Sequence, residues 1–348
     1  MQIEGDEPST LVRERFMTIG IRDVAREAAV SPATVSRVLS GKAVDHSMRE
    51  RVLAAVKRTG YKPNLAARRL RSQRSETIGL IVADIRNPYF TAVSHTIETI
   101  AAERGLRLIL SNTDEDPAKE AAYLDLMAQE QVTGVILAPA RSTVRPPNHD
   151  FPMVLIDRNV PGGTLDCVSL DNEVMAGVLV DHLAANGHRR IAGLFGADSD
   201  TGRARRIGFE RAGARLGLST KGYAIPHSDG ESAAMLRMLM DREDLPDAIV
   251  ASNGVMLLNV LRALRALGLS VPHDIALAGF DNNDWMEFVG GGLTVIEQPL
   301  GEIGRTAMTM LLDRIANPDV PARKVVLRGR LIERSSSMRH THFARQQG

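Results

Sequence analysis

The stretch SPATVSR, residues 31–37, combines small hydroxyl side chains with one arginine, a set that suits contact with nucleic acid. The guanidinium of Arg37 can donate a pair of hydrogen bonds to guanine acceptors or bind a phosphate. Hydroxyl side chains can bond phosphate oxygens or base edges, and the stretch has three of them: Ser31, Thr34 and Ser36. The other outward residues are small and allow close approach of the backbone. The stretch therefore predicts a thin helix that enters the major groove of duplex DNA.

Such a helix needs support, and the flanking sequence predicts one helix on either side. The first, in TIGIRDVAREAAV, has apolar residues at helical spacing: Ile21, Val24, Ala25 and Ala28. The second can be capped by Ser31, can begin at Pro32 and can end at Gly41. Its inward residues are expected to be Val35, Val38 and Leu39.

The third helix is expected in DHSMRERVLAAVKRTGY, with Asp45 as its cap and Gly60 as its stop. Its expected buried residues are Met48, Val52, Leu53 and Val56. Two helices joined by a tight turn and braced by a third form a helix-turn-helix, in which the second helix reads the major groove. Three unrelated short helices would give a similar pattern of apolar residues and caps. The prediction of DNA binding therefore depends on the hydroxyl side chains and Arg37.

The charge of the chain is concentrated in the same region. The formal net charge is +1, yet residues 18–75 hold thirteen lysines and arginines against four acidic residues. A basic segment on a mildly acidic remainder indicates a polyanionic partner for that segment alone. A solvated basic surface would show the same balance, and both interpretations stay open on charge alone.

A short basic segment, YKPNLAARRLRSQRS, follows at residues 61–75. Asn64 can cap a helix here, but NLAARRLR is shorter than the roughly 12–15 residues that an isolated helix needs in water. We expect it to fold on a partner. It offers a phosphate contact, room for a second copy and an apolar wedge: Arg68, Ala67 and Leu70. A plain basic linker is the alternative.

The segment TIGIRDVAREAAVSPATVSRVLSGK followed by YKPNLAARRL resembles the head and hinge of the lactose-repressor (LacI/GalR) family of bacterial transcription regulators. The resemblance begins at Thr18, which is included among the expected DNA contacts. It implies that Pro32, Ala33 and Arg37 lie where the family reads bases. It also implies that Leu70 enters the minor groove and kinks the operator.

From Thr77 onward, apolar strands such as TIGLIVADI and DIALAGF alternate with helical stretches. Unbroken apolar strands between helices indicate parallel sheets covered on both faces. The expected helices cover residues 91–104, 116–130, 172–186, 203–217, 231–241, 254–267 and 301–316. About 270 residues exceed one doubly wound unit, so two subdomains, lobe 1 and lobe 2, are predicted.

This region resembles the core of the same family, a periplasmic-binding-protein-like (type I) fold of two doubly wound parallel-sheet subdomains. Ligands of such sheets bind beyond the carboxyl ends of the strands. The resemblance implies that Arg205, Asn253 and Asp281 contact a small-molecule effector, although Gly254 replaces the Asp that usually follows Asn253. A guanidinium and a carboxylate suit hydroxyl groups, so a sugar or sugar derivative is the expected effector.

Other loops at the expected cleft supply further candidates, each with a structural alternative. Tyr89 and Phe90 can form an aromatic wall or can pack at the start of a helix. Trp285, the single tryptophan, can stack on a pyranose ring or fill the lobe interface. Asp157 follows a strand that ends at the cleft, and Thr201 lies in the loop GADSDTGRARRIGF.

The expected organisation has five parts. A flexible tail, a helix-turn-helix domain, a hinge, an effector-binding and dimerisation core and a C-terminal tail cover residues 1–17, 18–62, 63–75, 76–334 and 335–348. Within the core, lobe 1 takes about residues 76–171 and 299–326, and lobe 2 takes about 172–295 and 327–334.

Several other classes of protein are disfavoured. The single cysteine, Cys167, gives no disulfide framework and favours a reducing cytoplasm. A secretion leader and an apolar run of about 20 residues are missing, so export and a membrane span are not expected. Without a Walker loop, dinucleotide fingerprint, nucleophile elbow or zinc-type histidine pair, no enzyme activity, cofactor or metal is expected. A transport binding protein would have no use for residues 18–75.

The expected protein is a cytoplasmic, homodimeric transcription repressor. Two heads bind a pseudo-palindromic operator, and an effector between the lobes alters the hinge spacing and the balance of bound and free states. A stripe of Val93, Ile97 and Ile100 is expected either at the dimer interface or in the core of lobe 1.

Overall fold

The computed structural model describes residues 19–39, 41–61, 75–140, 150–160, 163–197, 199–226, 230–241 and 244–339. The chain divides into two compact units, residues 1–73 and 74–348, and each is described by itself. The first unit is an all-α head and the second is an α/β core. The fold class predicted from the sequence is confirmed.

The described part of the head is three helices around a small aliphatic core: α1 (Ile21–Glu27), α2 (Pro32–Leu39) and α3 (His46–Thr59). Val24, Val35 and Val52 are completely buried between them. Ser31 and Asp45 accept backbone N–H bonds at the starts of α2 and α3. Both caps follow from short side chains with an acceptor oxygen, as the sequence indicates.

The buried face of α3 differs from the prediction at two positions. Met48 and Leu53 are 39% and 49% exposed, whereas Ala55 is fully buried beside Val52. Leu53 is turned by about 100° from Val52 around the helix and lies outside the contact. Met48 belongs to the first turn, which is exposed throughout.

Lobe 1 is built on one sheet of parallel strands. Its described strands are β1 (Thr77–Val82), β2 (Arg107–Asn112), β3 (Gly134–Leu137), β4 (Met153–Ile156), β5 (Asp166–Leu170) and, late in the chain, β11 (Lys324–Leu327). Their order across the sheet is β11-β5-β4-β3-β1-β2. The described helices of this lobe are α4 (Pro88–Glu103), α5 (Pro117–Gln129) and α10 (Leu300–Ala316).

Lobe 2 repeats the plan with one antiparallel edge strand. Its described strands are β6 (Arg190–Gly196), β7 (Ser219–Ile225), β8 (Ala248–Ala251), β9 (Ala276–Phe280), β10 (Thr294–Glu297) and β12 (Arg330–Ile332). Their order is β12-β10-β9-β8-β6-β7, and β12 is antiparallel to β10. The described helices are α6 (Asn172–Ala185), α7 (Asp200–Arg215), α8 (Glu231–Asp241), α9 (Gly254–Ala266) and a short 3-10 helix (Asp284–Phe288).

The central strands of both sheets are buried on both faces, which explains their unbroken apolar sequences. In lobe 1, Val93 and Ile97 are buried against the sheet, and Ile100 packs on the same cluster. Val93 and Ile97 therefore belong to the core of lobe 1, and a contribution of α4 to a dimer interface stays a prediction.

Three segments of the described chain connect the lobes, here called crossovers. The first, at Asp171, joins β5 to α6; the second, at residues 298–299, joins β10 to α10; the third, at residues 328–329, joins β11 to β12. Arg314 and Arg323 both pair with the buried carboxylate of Asp166, which holds the segment before β11 against the start of β5.

The core continues past residue 334, the boundary predicted from the sequence. A short 3-10 helix at Ser335–Ser337 packs on lobe 2, and Ser336 and Ser337 are each 1% exposed. The Ser336 hydroxyl donates to the carbonyl of Leu277 at 2.6 Å, and the Ser337 hydroxyl lies 2.7 Å from Nε2 of His182. Small hydroxyl residues are polar in sequence but pack well once each finds a partner. No described helix is long and apolar enough to cross a bilayer.

Candidate functional sites

The expected reading helix, α2, presents a small and polar outer surface. Pro32, Ala33 and Arg37 are exposed, while Val35 and Val38 are buried. Ala33 and Arg37 are four residues apart and therefore share a face. Among the described residues, the guanidinium of Arg37 forms neither a hydrogen bond nor an ion pair, so it is available to a partner outside the head.

The hydroxyls near α2 have local roles as well. Ser31 accepts from the Thr34 amide at 3.1 Å, and their side-chain oxygens lie 2.9 Å apart. Thr34 and Ser36 are half-buried. The remaining expected DNA contacts lie outside the described residues: Thr18, Asn64, Ala67, Arg68 and Leu70.

A cavity of about 680 Å³ lies between the two lobes of the core. Every effector contact expected from the sequence lines it: Tyr89, Phe90, Asp157, Thr201, Arg205, Asn253, Asp281 and Trp285. These residues follow strands or begin helices of both sheets, and they meet because the carboxyl ends of parallel strands share one edge.

Arg205 is a buried guanidinium on α7, only 3% exposed. Its Nε donates to Oδ1 of Asn172 at 2.8 Å, its Nη1 donates to the carbonyl of Ser252, and its Cζ lies 4.0 Å from the centroid of the Phe280 ring. None of the described carboxylates forms an ion pair with it. Burial lowers the pKa of Arg205, and nearby Asp281 partly offsets this. A ligand with acceptor oxygens would supply the missing partner.

Asp281 is held at the end of β9 by two hydrogen bonds. Its Oδ2 accepts from the Gly254 amide at 2.8 Å, and its Oδ1 accepts from Nε2 of Gln298 at 2.6 Å. Its φ of +72° is in the left-handed region, which non-glycine residues adopt mostly where the surroundings impose it. A Cβ on Gly254 would lie 2.8 Å from Nδ2 of Asn283, the end of a neighbouring side chain.

The lobe 1 wall of the cavity is aromatic. Asn87 caps α4 by accepting from the Tyr89 amide at 3.1 Å, and this turn places Tyr89 and Phe90 at the cavity. The two rings meet edge to face, with centroids 5.0 Å apart. Both are almost fully buried and also belong to the lobe 1 core, so their packing role is confirmed, and their contact with an effector stays a prediction. Burial raises the pKa of Tyr89 well above its usual range, and the phenol stays neutral.

A buried ion cluster lies beside this wall, and of its members only Asp157 was expected at the site from the sequence. Arg158 donates to both carboxylate oxygens of Glu115 at 2.5 and 2.6 Å, and its Nε donates to Asp157 at 3.1 Å. Burial raises the pKa of Asp157, with Arg158 opposing the shift. Asp157 has a φ of +68°, another left-handed residue at the cavity. Arg158 follows Asp157 at a strand end, and this position could have predicted Arg158 as a site residue. Its pairing with Glu115 joins residues far apart in the sequence, and no local pattern predicts it.

The other lining residues are held by local bonds. Asn253 caps α9 by accepting from the Met256 amide at 2.8 Å, and the Thr201 hydroxyl lies 2.8 Å from that of Ser199. Trp285 packs partly on the lobe 2 core and partly lines the cavity. The described residues contain no cluster of His, Cys, Asp or Glu able to hold a metal ion.

Comparison with known proteins identifies the family. Residues 20–64 match the model for bacterial regulatory proteins of the lacI family, and residues 180–337 match a periplasmic binding protein-like domain. The HTH-type transcriptional regulator PtxS of Pseudomonas plecoglossicida is 34% identical over 325 residues, which cover 92% of this chain and 96% of the relative. The chain belongs to the lacI family.

Solved structures of two transcription regulators share its architecture. A complex of the transcriptional regulator CelR with cellobiose is 28% identical with a TM-score of 0.66, over 91% of this chain and 99% of the other. The Lac repressor dimer, bound to operator and the anti-inducer ONPF, is 24% identical with a TM-score of 0.81, over 92% and 99%. This lacI-family chain is a DNA-binding transcription regulator under effector control, as predicted from its sequence. Family members regulate transcription and are not enzymes.

Proposed function

We propose that this lacI-family regulator is a homodimeric repressor whose operator affinity is set by a sugar or sugar derivative in the 680 Å³ cavity. The observation that carries the proposal is the composition of that cavity. Arg205 and Asp281 of lobe 2 line it together with the aromatic pair Tyr89 and Phe90 of lobe 1.

The chemistry of the cavity favours a polyhydroxylated ligand of low net charge. Four arginines and four carboxylates line it: Arg86, Arg158, Arg205, Arg262, Asp84, Glu115, Asp157 and Asp281. Hydroxyl groups can donate to carboxylates and accept from guanidinium groups at the same time. The aromatic residues can cover an apolar ring face. The cellobiose bound by the related CelR is such a molecule.

At the DNA end, we propose that Ala33 and Arg37 of α2 read base edges and that Pro32 lies near them. Ala33 and Arg37 are both exposed on one face of the helix, which supports this. The sequence alone supports the further contacts by Thr18, Asn64, Ala67, Arg68 and the wedge Leu70. Two copies of the head on a pseudo-palindrome would place the protein on bacterial operator DNA in the cytoplasm.

A two-part experiment tests this function. The full chain first selects duplexes from a randomised library of about 30 base pairs, the span of two half-sites with flanks. A thermal-shift panel of cellobiose, D-xylulose, D-glucose, D-gluconate and adenine then finds the effector class. A selected palindrome whose binding changes with one of the sugars supports the proposal. Equal binding of all duplexes, or a response to adenine alone, would contradict it.

The proposal gives the cavity a binding role without catalysis. Chromatography of each probe after prolonged incubation with the protein should return it unchanged, and turnover of any of them would contradict this part.

A further inference from the structure

Two charged lobe 2 residues of the cavity, Arg205 and Asp281, are hydrogen-bonded to residues in or next to a crossover. Arg205 donates to Oδ1 of Asn172 at 2.8 Å, and Asn172 is the first residue of α6 after the first crossover. Asp281 accepts from Gln298 at 2.6 Å, and Gln298 lies in the second crossover. The groups expected to meet an effector thus contact two of the three connections between the lobes.

Asn172 also contacts the other lobe. While its Oδ1 accepts from Arg205, its Nδ2 donates to the carbonyl of Leu170, in β5 of lobe 1, at 3.2 Å. The side chain is buried, at 9% exposed. A buried amide that loses one bond pays a desolvation cost, so a shift of Arg205 favours a shift of Asn172 and of the chain around it.

The residues beside Asp281 also contact the strand that follows the third crossover. Asn282, next to Asp281, donates to Oε1 of Glu297 at 2.8 Å. Glu297 also accepts from Nη2 of Arg330 at 2.7 Å, and Arg330 is the first residue of β12. A movement at the end of β9 can therefore be passed on by direct contacts to the second crossover, which follows β10, and to the third, which precedes β12.

We propose that Asn172 and Gln298 are positioning residues that couple effector occupancy to the angle between the lobes. The inference rests on the proposed function, because it assumes an effector at Arg205 and Asp281. An effector that draws these groups toward itself changes the partners of Asn172 and Gln298, and the crossovers change with them. Since hinge segments absorb domain rotation in a few residues, two amides at two crossovers suffice to bias it.

The test separates effector affinity from coupling. Asn172→Ala and Gln298→Met remove the two amides, and Gln298→Met keeps the length of the side chain. Asn259→Ala is the matched control, because Asn259 lines the same cavity and bonds to no crossover among the described residues. Probe affinity is measured by calorimetry with whichever of cellobiose, D-xylulose, D-glucose and D-gluconate stabilises the wild type most. Operator affinity is measured with and without saturating probe.

The expected result is a loss of coupling, the factor by which the probe changes operator affinity. It should fall to about 1 in both amide variants and stay within about twofold of the wild type in Asn259→Ala. Asn172→Asp should recover probe affinity, because its carboxylate still accepts from Arg205, but should not recover coupling, because it cannot donate to Leu170. Wild-type coupling in both amide variants with normal probe binding would overturn the proposal.

A wild type that responds to none of the probes would contradict the proposed effector class. In that case, hydrogen exchange without any probe tests whether Asn172 holds the first crossover in place. The Asp171 amide, bonded to the carbonyl of Leu327 at 2.8 Å, reports on the first and third crossovers. Its exchange should be faster in Asn172→Ala and unchanged in Asn259→Ala. Equal rates in the two variants would overturn the role of Asn172.

Discussion

The guanidinium carbon of Arg205 lies 4.0 Å from the centroid of the Phe280 ring, inside a cavity that separates two lobes. The stacked ring and the bonds to Asn172 and Ser252 fix the plane of the guanidinium. Its remaining donors therefore have a set direction before any ligand arrives, which lowers the entropy cost of binding.

Arg205→Lys should weaken effector binding by at least about tenfold, since an ammonium keeps the charge but loses the planar fork and the stack. Calorimetry with the best sugar probe measures the change. Arg206→Lys is the control, because Arg206 pairs with Glu210 on the half-exposed side of the same helix. Equal affinities in the two variants would remove Arg205 from the site.

Asp281→Asn should lower effector affinity by about 1–3 kcal/mol, because an amide nitrogen cannot accept the bonds from Gly254 or Gln298 that the carboxylate accepts. Asparagine tolerates the left-handed backbone at this position, so the fold should persist. Asp84→Asn, at a cavity carboxylate paired with exposed Arg86, should cost much less. Similar losses would show that carboxylate placement is unimportant.

Arg37→Ala should cost about 1–3 kcal/mol of operator affinity and relax base preference at one position of each half-site. Repeating the duplex selection with the variant measures this directly. Arg26→Ala removes an exposed arginine of α1 that pairs with Asp23 and should leave the base preference intact. An unchanged selected sequence for Arg37→Ala would exclude it from base reading.

Gly208→Ala should destabilise the core by at least about 1–3 kcal/mol, because a Cβ at this position would lie 2.0 Å from the backbone oxygen of Glu173, where α6 and α7 touch. Gly177→Ala in the facing helix is the control. Its Cβ would meet only the Ala212 methyl at 3.7 Å, so it should stabilise by about 0.5–1 kcal/mol. Urea unfolding of both variants measures the difference, and shifts of the same sign would contradict this packing.

Stability should fall as the pH drops below about 6.5, the ordinary histidine value, through His182. Burial lowers the pKa of His182, with Glu333 partly opposing. The unfolded chain then takes up a proton before the folded chain does, so the loss begins at the unfolded value and levels off below the folded one. Urea midpoints across this range should be flatter in His182→Gln and unchanged in His95→Gln, at an exposed site. If the urea midpoint changed equally with pH in all three proteins, His182 would not be the source of the pH dependence.

The sequence predicts most of this architecture because its strands are apolar runs and its helices carry caps. Strand β5 escapes prediction because Asp166 and Ser169 interrupt it, and β11 and β12 escape because they are short edge strands with exposed side chains. The eight expected cavity residues meet because strand ends share an edge. Asn172, Gln298 and the pairing of Glu115 with Arg158 depend on contacts across many residues, which local patterns do not encode.

The late position of β11 and β12 has a consequence for the gene. One sheet receives its last described strand at residues 324–327 and the other at residues 330–332, so neither lobe is complete before the codons of these strands have been translated. A frameshift or stop codon just before the codons of β11 would therefore damage both lobes at once while sparing the codons of the head.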